Sequence, residues 1–71
     1  MQYHLIVIDE PTHEQAAIRM RSVTNNLAGQ GWRLTGNLIV SQYTIRKWLL
    51  HYDRVVLMRE MVKREGNGTK N

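Results

Sequence analysis

The sequence has no cysteine, which removes disulfide staples, thiolate catalysis and any Cys-based zinc or iron–sulfur site. It has no phenylalanine and a single proline. Its longest apolar runs, Leu5-Ile6-Val7-Ile8 and Val55-Val56-Leu57-Met58, fall far short of the roughly 20 residues that a membrane-spanning helix needs. No Lys or Arg precedes Arg19, and the first ten residues end in Asp9-Glu10, so the basic start of a secretory signal is missing. A cytoplasmic protein with no membrane partner is the expectation. Aromatic mass is scarce too, at two Trp and three Tyr in 71 residues. Ordering such a chain costs on the order of 100 kcal/mol at ~1.5 kcal/mol per residue, and a core this thin barely recovers it. Self-association is the expected remedy. What is present is ordinary: 42% hydrophobic and 23% charged residues exclude wholesale disorder and fit one small domain.

The formal net charge of +4 is unevenly placed. Asp9, Glu10 and Glu14 outweigh Arg19 and Arg21 in the first half. Between 43 and 64, Arg46, Lys47, Arg54, Arg59, Lys63 and Arg64 stand against Asp53 and Glu60 alone. A basic second half suits nucleic acid, an anionic ligand or an acidic partner; it equally suits a solvated face that keeps a small protein soluble.

Tyr3 to Ile8 is rich in β-formers and reads as a strand buried on both faces, ended by Asp9-Glu10-Pro11. Thr12 followed by Gln15 is a capping-box pattern that opens a helix running to about Ala28. Ala16, Met20, Val23 and Leu27 form its apolar stripe, with Ile18 off the stripe. Gly29 sits where a left-handed cap residue is wanted, and Gly31 offers a second permissive turn position. From Trp32 to Val40 the chain alternates, with Trp32, Leu34, Leu38 and Val40 on the side that suits the helix; Gly36 suggests a bulge or a close backbone approach. Arg54 to Val62 is the last strand. Glu65 to Asn71 holds no apolar residue and is expected to be a disordered, dispensable tail after a single α+β domain of residues 1–64.

Residues 41–53 have no Gly, Pro or Asn to announce a tight turn, and they are too apolar for a loop. Ile45, Trp48, Leu49 and Tyr52 fall at helical spacing, yet alternation works as well. A short helix and a projecting arm of prolonged strands both remain open.

Tyr3 in the first strand, Leu27 with Gly31-Trp32 after the helix, Gly36 with Leu38 and Val40, and the closing Met61-Val62-Lys63 together resemble a group of small bacterial and phage domains of unknown function. The likeness covers 3–40 and 54–63 but not the apolar insert 41–53, where that group has a polar turn. It implies a β-α-β-β chain, one helix on one face of a small antiparallel sheet, often self-associating. It implies no activity.

Catalytic patterns are missing, and no enzyme is expected. His4, His13 and His51 lack the spacing of a metal pair, and adjacent Asp9 and Glu10 read as helix-entry residues. Ser22 and Ser41 have no nucleophile-elbow context, and Gly29-Gln30-Gly31 follows a helix instead of opening one. No catalytic residue, metal ligand or cofactor is therefore assigned. Trp32, Leu27, Met20 and Gly31 are structural, with Trp32 plugging the core between helix end and sheet. The insert carries the functional expectation. Ile45, Trp48, Leu49, Leu50 and Tyr52 combine the aromatic and aliphatic area of a protein interface. Tyr43, Arg46, Lys47, Arg54 and Lys63 supply the rings and cations of an alternative, nucleic-acid-binding surface. The aliphatic residues favour the interface: a homodimer or higher homo-oligomer that also binds an unidentified protein. The resemblance implies a phage or prophage origin.

Overall fold

The structure, a computed structural model, describes residues 1–64; the tail expected from 65 onward lies outside the described residues. Four elements follow one another: β1 (Gln2–Glu10), α1 (His13–Ala28), β2 (Arg33–Lys47) and β3 (Leu50–Lys63). The strands form one antiparallel sheet in the order β1-β3-β2, with α1 against one face. The fold is the β-α-β-β α+β arrangement expected.

Local chemistry places the helix. Thr12 is its N-cap in extended conformation, accepting from the Gln15 amide at 3.2 Å while its hydroxyl reaches the Gln15 side chain at 3.4 Å. Ala16 and Met20 are buried and Val23 and Leu27 partly so, while Ile18 points outward. They close on Ile6 and Ile8 of β1 and on Val55, Leu57 and Met61 of β3. At the helix end, the Gly29, Gln30, Gly31 and Trp32 amides donate back to carbonyls of Asn25, Leu27 and Ala28, three of the four terminal acceptors. The left-handed residue of this turn is Gly31 (φ 94°); Gly29 is right-handed at −65°, contrary to expectation, because the helix tightens for one more turn before reversing. Trp32 is partly buried against the core, tilted on His4 at 5.8 Å with the Lys63 ammonium 6.0 Å from its ring.

Two readings of the strands need correction. β1 is not buried on both faces: Ile6 and Ile8 are covered, whereas Tyr3, Leu5 and Val7 lie exposed on the face opposite the helix. The sheet has a covering layer on one side only. Leu34 and Leu38 also remain exposed, because α1 lies mainly over β1 and the central β3 and reaches the edge strand β2 little. Gly36 marks the expected bulge: the β2–β3 register shifts between Thr35 and Ile39, and Gly36 has φ 68° with open space where a Cβ would go.

The 41–53 insert is an arm, not a helix. β1 pairs with β3 only from Gln2↔Lys63 to Glu10↔Val55, and beyond that β2 and β3 continue alone from Tyr43↔Arg54 to Lys47↔Leu50. The molecule measures 61 × 17 × 17 Å, with a radius of gyration of 15.8 Å. A compact chain of this length has about 11 Å.

Candidate interaction arm and open sheet face

The arm is clamped at its root on both sides. On the open face, Asp9 at the end of β1 accepts the Tyr43 hydroxyl at 2.5 Å and Arg54 Nε–H at 2.6 Å, and Arg54 also donates to the Asp9 carbonyl at 3.3 Å. On the helix side, the Gln42 amide meets the His13 ring at the start of α1. Tyr43 first, then Arg54, hold the Asp9 carboxyl below its usual range by hydrogen bonding to its ionised form. The same bond raises the Tyr43 phenol above its ordinary value.

Beyond the root the ribbon is two-faced, since directly opposed residues share a side. Thr44↔Asp53, bonded at 2.7 Å, and Arg46↔His51 make the polar side. Ile45↔Tyr52 and Lys47↔Leu50, next to Tyr43↔Arg54, make the other, which is largely apolar. Trp48 and Leu49 form the two-residue turn and are 94% and 96% exposed. Trp48 has φ 59°, the left-handed region that bulky L-residues avoid. A positive φ at the first of two loop residues is where hairpins favour glycine.

The apolar side of the arm faces the same way as the uncovered face of the sheet, joined to it past the Asp9–Arg54 pair by Tyr43 and Val56. Tyr3 (64% exposed), Leu5 (59%), Val7 (55%) and Ile39 (54%) lie there around the half-buried Val56 and Met58. Among the described residues the ion pair on this face is Asp9–Arg54, and Glu60 stands between Leu5 and Thr35 in the register.

The five interface residues named from sequence are thus gathered on one arm, Trp48 and Leu49 at its tip and Ile45, Tyr52 and Leu50 on its apolar side. The alternative set is divided. Arg46 and Lys47 are near the tip, Tyr43 and Arg54 are engaged by Asp9, and Lys63 lies at the opposite end of the sheet with Arg33 and Arg64, beside a cleft of about 390 Å³. His4, His13 and His51 are spread over β1, α1 and the arm, and among the described residues no cluster of three His, Asp or Glu is placed to hold a metal ion. No described helix is long and apolar enough to cross a membrane.

Sequence reasoning missed the Asp9–Tyr43–Arg54 clamp and the open face. The clamp had no signal, since its residues are 34 and 45 positions apart. The face did have one. Apolar residues occupy both parities of 3–8 and 55–62, which calls for two covering layers where the chain supplies one helix. Comparison with known proteins adds no parallel: no family model, curated protein or solved structure matches the chain.

Proposed function

We propose that this protein is a non-enzymatic interaction module that self-associates and uses its projecting arm to engage a protein of a host cell or a phage. The observation that carries the reading is the tip. Trp48 and Leu49 stand bare at the end of a ribbon, and the turn accepts a left-handed Trp where glycine would cost nothing. Solvent-exposed Trp and Leu gain nothing for the lone chain, whereas Trp and Tyr are the side chains that dominate binding once a partner buries them. The likeness of the Gly31-Trp32 and Met61-Val62-Lys63 motifs to small bacterial and phage domains supports an accessory role of phage or prophage origin. A tagged protein recovered from its native host after nuclease treatment is expected to retain a protein partner. The Trp48→Ala/Leu49→Ser variant is expected to lose that partner while keeping its circular dichroism. Equal recovery by both forms would remove the arm tip from the reading.

A second reading, nucleic-acid binding, is favoured by Arg46, Lys47 and His51 flanking the exposed Trp48. Salt separates the two. Binding of a fluorescent single-stranded oligonucleotide that collapses between low and moderate salt supports this second reading, because phosphate contacts release counterions. A salt-independent protein contact supports the first.

A further inference from the structure

The open side of the sheet carries an inference of its own, resting on the self-association just proposed. We infer that this face, not the arm tip, is the surface on which two copies of the chain pair: sheet against sheet, related by a two-fold axis, each arm lying along the far end of the other's sheet. Three properties of the chain single out a second copy as the occupant.

The first is area. The accessible surface is 5462 Å², where a compact monomer of 8.4 kDa exposes about 4,600 Å². Large side chains carry 150–250 Å² when aromatic, so the half-exposed residues of the open face and the arm's apolar side present on the order of 800 Å² together, the share each partner gives to a stable interface. Covering this face enlarges a core that holds seven buried side chains among the described residues.

The second is charge. Asp9 and Arg54 neutralise each other within one chain, so the root of the arm enters an interface as a closed, hydrogen-bonded group. Glu60 is the one carboxylate on the face without a cation bonded to it in the described structure. An axis running along β3 would set Glu60 against its own copy. An axis crossing β3 near Leu57 instead carries the second copy's Glu60 towards Arg54, and sets Tyr52 over the second copy's Val62 and Ile45 over its Arg33. The crossed arrangement avoids burying two carboxylates together. It leaves Lys47 at the solvent-exposed end, where salt screens it.

The third is the arm itself. An isolated two-stranded ribbon is marginal in water, and this one shows an apolar side on the same side as the open face. Pairing two sheets about 10 Å apart gives both arms a surface to lie on.

Sedimentation of the wild type at tens of micromolar is expected to give a dimer. Leu5→Lys or Val7→Lys, at positions outside the single-chain core, is expected to weaken it by at least an order of magnitude. Ile18→Lys, on the exposed helix face, is expected to leave it unchanged. Met58→Cys, which gives the chain its only thiol, is expected to cross-link between copies with a short bis-maleimide, whereas Ile18→Cys is not; this reading stands even where a lysine variant folds poorly. A dimer lost on Trp48→Ala/Leu49→Ser but indifferent to Leu5→Lys would overturn the face and keep self-association. A wild-type monomer at hundreds of micromolar, with Leu5→Lys melting alike, would overturn both and assign the face to a foreign protein.

Discussion

At the scale of single residues, Met61 anchors the core. It is the largest fully buried side chain, on the central strand, between the helix and the Leu34 side of β2. Met61→Ala is expected to cost about 2–5 kcal/mol by chemical denaturation, with Leu27→Ala at the low end because Leu27 is only partly buried. Arg59 is the opposite case. It projects towards the helix side between Leu57 and Met61, and its buried Nε has no hydrogen-bond partner. A buried donor left unmade costs more than an apolar group in the same place, so Arg59→Met is expected to be neutral or stabilising by about 1 kcal/mol. Asp9 sets a pH dependence. Its folded-state pKa is depressed, first by Tyr43 and then by Arg54, below an unfolded value of about 3.9. The stabilisation is therefore complete above that value and is lost as pH falls through the lower folded one. An acid titration followed by circular dichroism is expected to show a shallower loss for Asp9→Asn than for wild type. The raised Tyr43 phenol, read as the ultraviolet difference from Tyr43→Phe, is expected to return towards about 10 in Asp9→Asn.

Among the elements, legibility tracked how local the determining physics was. The helix was readable because its cap and its stripe are set within a turn or two of chain, Thr12 with Gln15 and Ala16 with Met20; its left-handed residue is Gly31, two positions beyond the expected Gly29. The bulge at Gly36 was readable for the same reason. The arm was half legible, because 41–53 satisfies both a helical stripe and strand alternation, and pairing across Tyr43↔Arg54 to Lys47↔Leu50 decides between them. Its turn was illegible, because Trp48-Leu49 contains none of the residues that turn chemistry favours. The two-sided burial expected of 3–8 fails because its pattern calls for two covering layers and the chain supplies one. The turn yields a prediction that separates stability from function. Trp48→Gly removes a left-handed Trp that makes no packing contact worth keeping at 94% exposure, and is expected to raise stability by about 1 kcal/mol in thermal or denaturant melts. The same variant is expected to lose partner binding. A Trp48→Gly protein less stable than wild type would show that the ring is covered in solution.

The whole molecule divides into a body that folds and an arm that projects. Among the described residues every buried side chain lies in 6–8, 16–20 or 55–61, and the arm beyond Tyr43 and Arg54 contributes none. Tyr43 and Arg54 face each other in register, so replacing Thr44–Asp53 by Asn-Gly closes the hairpin with a favourable two-residue turn and leaves the Asp9 clamp in place. This shortened chain is expected to keep the wild-type helical signal and a cooperative melt, since its core and root hydrogen bonds are intact. It is also expected to lose the tip-dependent partner altogether, and to dimerise more weakly than wild type, because the open face survives without the arm's Ile45, Leu50 and Tyr52. Sedimentation and melting across a concentration series measure both effects, since folding and association are linked. A shortened chain that fails to fold at any concentration would mean that the ribbon stabilises the body from a distance, and the division into body and arm would have to be abandoned.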